Sequence, residues 1–445
     1  LTFIIAWRHY ETDSVYDGEF TAYDAVQGST DIDLDQYSSE LRITSPGGQT
    51  FDSQGGLYAY YSEMDVVGTF AMSESLAENI GFGWLFPDGS INVDDNTYKT
   101  TSLAAFGQVV WNYSEKLSAT LGLRYTWEKK ERTGTQNTTP TIAFDIPPIA
   151  GPDITLDDSR TDSDVSPSVN LRYFVNDDLM GYALVSRGFK SGGFDQRRVV
   201  SDSNGEFEPE KATNYELGWK SSWSDRQLQF NGTLFYVDYE DFQAQSFDGS
   251  SIRVVNAGDL ESYGAEIELV FIPVANTTMG SAIGYNKAEY GSFKNGQCTV
   301  EQTFIEYYLV DGAQGGAPGT SSVCTQDLAG EPLDNAPEWT VSSYIQYDME
   351  IGEELEAVAR LEHSYIDGYF LDQDLDSKLQ NDEVNLVNLR LSLIKTSGDW
   401  EVALWGRNLL DEQYYSYGID IPTIGGYAGV VAPQASYGIT LRFYN

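Results

Sequence analysis

The chain has 445 residues, 68 of them acidic and 26 basic, for a formal net charge of −42. That balance argues against a nucleic-acid binder, whose phosphate contacts need Lys and Arg, and fits poorly with a basic patch for anionic lipid. No apolar run approaches the roughly 18 residues of a transmembrane helix; the longest, such as Phe3–Trp7, are strand-sized.

In chain order the predicted elements are strands. The first opens at Leu1 with "LTFIIAWRHY". Further on, Leu117, Ala119, Leu121, Leu123, Tyr125 and Trp127 share one face against Ser118, Thr120, Gly122, Arg124, Thr126 and Glu128. Val165, Val169, Leu171 and Tyr173 oppose Ser166, Ser168, Asn170 and Arg172. Tyr215, Leu217 and Trp219 oppose Glu216, Gly218 and Lys220, and Tyr263 to Phe271 alternates against Gly264, Glu266 and Glu268. Trp339–Met349 and Val387–Leu393 repeat the pattern. The closing "SYGITLRFYN" sets Tyr437, Ile439, Leu441 and Phe443 against Ser436, Gly438, Thr440 and Arg442. Successive strand side chains point to opposite faces, so each segment has one apolar and one polar face. Helical spacing is confined to Ser73–Ile80, and the count of alternating segments is about sixteen.

The connections alternate in length. Short ones are Ser45–Thr50, Asn112–Lys116, Val175–Asp178, Trp223–Arg226, Val274–Thr277, Ile351–Glu354 and Thr396–Asp399. Between them lie Asp13–Gln36, Met64–Asn96, Thr133–Asp162, Asp195–Pro209, Gly291–Asn335 and Leu371–Glu383, rich in Gly, Asp, Asn and Ser; short Ser246–Ser251 is the exception, in a long slot. Strands joined alternately at two ends place all turns at one end and all loops at the other, as outer-membrane barrels do. A soluble sandwich also alternates, but with shorter strands and less ordered loop lengths. A mean hydropathy of −0.35 fits a barrel, since half of every strand faces a polar lumen. The 30 Tyr and 9 Trp suit its two membrane–water boundaries. The expected fold is therefore an all-β, transmembrane antiparallel barrel. An unpaired sheet edge is costly in lipid, so the strands must close alone or take partners from elsewhere.

Arg187, Lys190, Arg197 and Arg198 cluster in an otherwise acidic chain. They are candidates for holding an anionic ligand; pairing with lumenal acids such as Glu216 is the alternative. Trp84, Tyr307 and Tyr308, with Phe82 and Phe86, are loop aromatics able to stack on a sugar ring or catecholate, or on one another. Aspartates gather in Asp31–Gln36 and Leu371–Asp382, where calcium could bind through oxygen ligands or bridge to lipopolysaccharide; neither run has EF-hand spacing. No other cofactor and no protein-bound metal is expected. Cys298 and Cys324 share one loop, which suggests a disulfide, with two free thiols as the alternative. The only histidines are His9, near a strand rim, and His363, in phase with an outward stripe. They offer little for haem, a catalytic triad or a metal set, so an enzyme is not expected.

Several segments together resemble TonB-dependent outer-membrane receptors of Gram-negative bacteria. They are "YSSELRITSPGG" (Tyr37–Gly48), "SRGFKSGGF" (Ser186–Phe194), "NYELGWKSSW" (Asn214–Trp223), "NAGDLESYGAEIEL" (Asn256–Leu269), "NAPEWTVSSYIQYD" (Asn335–Asp348) and "GRNLLDEQYY" (Gly406–Tyr415). The resemblance implies a multi-pass barrel in the bacterial outer membrane, touching lipid and lipopolysaccharide. It implies a parent of about 22 strands, of which residues 1–445 form a partial barrel beginning near the seventh. The signal peptide, energy-coupling box, plug and first strands are then expected outside this sequence. It implies that Tyr437, Ile439, Leu441 and Phe443 form the signal read by the barrel assembly machinery, with Tyr444 and Asn445 as a departure beyond the usual terminal aromatic. It also implies import of a scarce small molecule, a ferric siderophore first, powered by the TonB complex acting on the plug. The alternatives are uptake of an oligosaccharide or vitamin, or a passive pore or structural or adhesion barrel.

Overall fold

The computed structural model describes residues 1–17, 26–72, 90–139, 153–195, 205–247, 252–305, 324–421 and 426–444. Sixteen strands form one antiparallel sheet. They are β1 (Thr2–Asp17), β2 (Val26–Thr44), β3 (Phe51–Met72), β4 (Ser90–Asn112), β5 (Leu117–Thr139), β6 (Ile154–Asn176), β7 (Leu179–Lys190) and β8 (Glu210–Trp223). The series continues with β9 (Leu228–Glu240), β10 (Leu260–Val274), β11 (Thr277–Tyr290), β12 (Trp339–Ile351), β13 (Leu355–Ile366), β14 (Val384–Lys395), β15 (Trp400–Arg407) and β16 (Ser436–Phe443). Each pairs with the next, and among the described residues no ladder joins β1 to β16. Among the described residues five further two-stranded ladders sit in the connections, all at the loop end. At the opposite end the turns are tight. Gly352 and Gly398 take φ of 66° and 79° there, a left-handed geometry that costs a residue with a Cβ.

The strands run further than the sequence pattern suggests. Much of Asp13–Gln36, Met64–Asn96 and Thr133–Asp162, expected as loop, is strand: β1 continues to Asp17, β3 to Met72 and β5 to Thr139, with β2, β4 and β6 starting early to match. β4, β5 and β6 have 23 residues each, roughly 75 Å at about 3.3 Å per residue. The apolar band of an outer-membrane barrel is only about 25 Å tall. Above that band both faces are wet, so apolar alternation stops while the ladder continues. Polar cross-strand pairs sustain it: Lys99 Nζ lies 3.1 Å from Glu63, and Thr97 Oγ1 donates to Asp65 at 2.6 Å. Of the exceptional Ser246–Ser251, Ser246 and Phe247 end a short strand, Gln243–Phe247, that pairs with Ile252–Asn256 within a longer connection, and the remainder lies outside the described residues. Ser73–Ile80 lies outside the described residues.

The faces divide as the alternation requires. Tyr263, Leu269 and Phe271 on β10, and Tyr437, Ile439, Leu441 and Phe443 on β16, are exposed. The intervening polar side chains are the more shielded set, as in β6, where exposed and half-buried positions alternate. The apolar face is thus the outer one and the polar face lines the interior. Tyr263 and Phe271 bracket the band on β10 eight residues apart, about 26 Å along the strand. With apolar strand residues facing outward, the conventional core found among the described residues lies at the loop end, where Leu260 and Tyr290 at strand ends pack with Phe293, Leu328, Ala244 and Ala257 of the connections.

Candidate ligand site at the loop end

The upper interior of β5 and β6 carries a ladder of charges. Glu128, Lys130 and Arg132 alternate on the inner face of β5, and the register sets them opposite Asp162, Arg160 and Asp158 of β6. Arg132 is fully buried and its Nη2 lies 2.6 Å from Asp158. Arg160 binds Asp162 at 2.9 Å and also reaches Glu206 at 2.9 Å and Glu208 at 2.6 Å. Those two glutamates belong to the connection between β7 and β8, so the ladder draws that connection inward. Lys130 Nζ donates to the Gly192 carbonyl at 2.9 Å, Arg132 Nη1 to the Asp195 carbonyl at 3.2 Å, and the Arg132 guanidinium stands 5.1 Å from the Phe194 ring centre. Gly192 admits the close approach: a Cβ there would collide with the Phe207 carbonyl oxygen and the Arg160 guanidinium. Segments 191–195 and 205–209 therefore form a roof over the inner face. Beside them, β7–β10 frame a concavity of about 540 Å³ of mixed lining, with Tyr182, Asn214, Glu216 and Glu266 beside Phe235 and Val237.

Of the basic cluster read from the sequence, Arg187 and Lys190 are among the described residues. Arg187 and Lys190 lie three positions apart on β7, hence on opposite faces. Arg187 is in phase with exposed Val185 and lies 3.9 Å from Glu240; Lys190 is in phase with Ser186 and lies 4.0 Å from Glu210. Glu216 instead accepts from Asn214 at 2.8 Å. Arg197, Arg198, Trp84, Tyr307 and Tyr308, like Phe82 and Phe86, lie outside the described residues. His363 holds Asn385 at 3.2 Å across the rim. His9 Nδ1 lies 3.6 Å from Asp33 and 3.4 Å from Asp35, whose Oδ1 also accepts from Trp7 Nε1; on the outer face His9 and Asp33 are exposed and Asp35 is half-buried. Lys130, Arg132 and Arg160 were missed as a group. The signal for the first two was their shared phase with Arg124, but nothing local announces Arg160 as their partner.

Three other connections meet nearby. Cys298 and Cys324 are disulfide-bonded with Cα atoms 5.8 Å apart, next to a rung between Gly296–Gln297 and Thr325–Gln326. A five-residue helix, α1 (Val300–Phe304), follows, capped by Thr299. Gln326 Nε2 donates to the Asp374 carbonyl at 2.8 Å, Gln373 Nε2 to Gln297 Oε1 at 2.8 Å, and Gln297 Nε2 to Asp420 Oδ1 at 2.6 Å. These amides tie connection 291–338 to connections 367–383 and 408–435.

Among known proteins, the family described as "TonB dependent receptor-like, beta-barrel" matches residues 2–409. The chain belongs to that family. Membership places this receptor barrel in the bacterial outer membrane, crossed by strands, in a family of receptors rather than enzymes. It is similar to the pesticin receptor of Yersinia pestis, 25% identical over 167 residues that cover 38% of this chain and 23% of that one. It is similar also to the ferrichrome outer membrane transporter/phage receptor of Escherichia coli K12, 24% identical over 57% of this chain and 31% of that one. The crystal structure of the ferric yersiniabactin uptake receptor from Yersinia pestis superposes with a TM-score of 0.77 at 17% identity, covering 99% of this chain and 58% of that one. The TonB-dependent receptor barrel described here thus spans less than two thirds of the length of these relatives.

Proposed function

We propose that this barrel forms the wall and outer mouth of an active importer that takes up a ferric siderophore. The observation that carries the reading is the roof. A connection held against the polar inner face of β5 and β6 by Lys130, Arg132 and Arg160 suits capture of a solute at the mouth better than free flow through a pore. Two of the relatives, a ferrichrome transporter and a ferric yersiniabactin uptake receptor, support an iron chelate as cargo. The cations of the roof ladder are matched by carboxylates, which favours a neutral or weakly charged chelate over a polyanionic one. Energy would come from the TonB complex through a plug outside this chain, and the barrel assembly machinery would read β16. Uptake of an oligosaccharide or vitamin would use the same scaffold with other loop contacts.

The test is uptake of radioactive iron by cells with and without the protein, supplied as hydroxamate, phenolate and catecholate chelates. Import should require both the protein and an energised inner membrane. Uptake that persists after uncoupling would establish a passive pore. Energised uptake of a sugar or vitamin but of no iron chelate would replace the cargo.

A further inference from the structure

His9 takes no part in the loop-end site, and the sequence gives it no neighbouring ligands. The register of β1 against β2 supplies them. His9 stands directly opposite Asp35, and Asp33 follows two residues along on the same outer face. The His9 Nδ1 atom lies 3.6 Å from Asp33 Oδ1 and 3.4 Å from Asp35 Oδ1. One nitrogen and two carboxylate oxygens thus converge, all within 4.8 Å of one another. Both nitrogen–oxygen distances exceed the roughly 2.7–3.2 Å of an N–H···O hydrogen bond. They match ligands around a four-coordinate ion: at bond lengths of about 2.0–2.1 Å, the corners of a tetrahedron are about 3.3–3.4 Å apart. Trp7 braces the set. Its indole N–H donates to Asp35 Oδ1 at 3.0 Å, and its ring stacks with the His9 imidazole at 6.4 Å between centres. Supporting contacts of this kind orient metal ligands.

The surroundings favour a cation. Glu11, Asp33 and Asp65 stand in one row across three strands, and Asp13 faces Asp31 in the next. Like charges directly opposite one another weaken a ladder. Lys99 answers Glu63, the neighbour of Asp35 on β3, but among the described residues no lysine or arginine pairs with Asp33 or Asp35. The position is also wet. Trp7 faces Tyr37, which stands 6.5 Å from Tyr61, an aromatic row of the kind that marks a membrane–water boundary. His9 is the next outward residue beyond that row, toward the loop end. An imidazole nitrogen with two carboxylate oxygens suits a first-row divalent ion, zinc first, and not calcium, which takes oxygen ligands.

We propose that His9 Nδ1, Asp33 and Asp35 bind one zinc ion on the outer wall, pinning β1 to β2 just beyond the aromatic row. Three protein ligands leave a fourth position open to water, and the exposure of His9 and Asp33 gives the ion access from the medium.

The experiment is equilibrium dialysis of the untagged protein, purified in detergent, against radioactive zinc at neutral pH and physiological salt, with excess calcium to occupy other surface acids. It compares the unmodified protein with H9Q, D33N, D35N and H363Q, the last removing the other histidine. One saturable site is expected in the unmodified protein and in H363Q. It should weaken in H9Q, D33N and D35N by at least about tenfold, the lower bound for disturbing even a supporting partner of a ligand. Equal binding by all five proteins would mean diffuse association with acids and overturn the site. Loss in H363Q alone would overturn it in favour of the other histidine, and no saturable binding would leave the trio a plain ion pair. Mobility on unheated gels reports whether each variant keeps its barrel. Should a variant lose it, X-ray absorption of the zinc-loaded unmodified protein decides: one imidazole among oxygen ligands is expected, and an all-oxygen shell overturns the site.

Discussion

Arg160 shows how much a single side chain can hold at this loop end. It joins one strand carboxylate to two glutamates of the roof, and its hydrogen bond keeps the Glu208 carboxyl below its ordinary range. A depressed carboxyl pKa stabilises the folded arrangement above the unfolded value and loses that contribution as pH falls through the folded one. The roof should therefore be firm at neutral pH and loosen below the ordinary glutamate value of about 4.3. Hydrogen exchange in segment 191–209, corrected for intrinsic rates, should show extra opening in acid, and E208Q should show it already at neutral pH. Identical protection in the variant would remove Glu208 as an anchor. Neither the pairing nor its pH sense was legible beforehand, because Arg160 and Glu208 are separated by 48 positions and meet only when the connection folds back.

At the scale of elements, the disulfide and the strands carry separate stabilities. The Cys298–Cys324 link closes a loop with a sequence separation of 26, an entropic restraint worth about 3 kcal/mol to that loop. It touches none of the sixteen ladders. Reduction should speed proteolysis and exchange within 291–338 while leaving unchanged the heat-dependent gel mobility that reports an intact barrel. A loss of that mobility on reduction would mean that the loop unit supports the wall. The sequence spoke clearly about which segments are strands and which ends carry turns. It misjudged where strands stop, since Asp13–Asp17 and Met64–Met72 lack apolar alternation yet keep their ladder partners.

For the whole molecule, the decisive assignment is which face meets lipid. Leu121 is 59% exposed in the middle of the apolar band of β5, and Thr120 beside it points inward. L121R should weaken folding into lipid vesicles by about 2–4 kcal/mol, the range for an arginine near the bilayer midplane. T120R should cost far less, because the lumen accepts charge. Folding yields in vesicles, scored by gel mobility, separate the two, and equal costs would contradict the face assignment.

Strict alternation by itself determined the strands, their inner and outer faces and the turn-and-loop rhythm, because a strand's two-residue period is a local property. The family resemblance was also legible, since its motifs are contiguous. The interior ladder of Lys130, Arg132 and Arg160, the roof it holds and the amide ties of Gln326 to the Asp374 carbonyl and of Gln297 to Asp420 were decided only by the tertiary structure. Each depends on inter-strand register or on one connection docking against another. Those are long-range choices, set by which polar groups find partners once the sheet has formed.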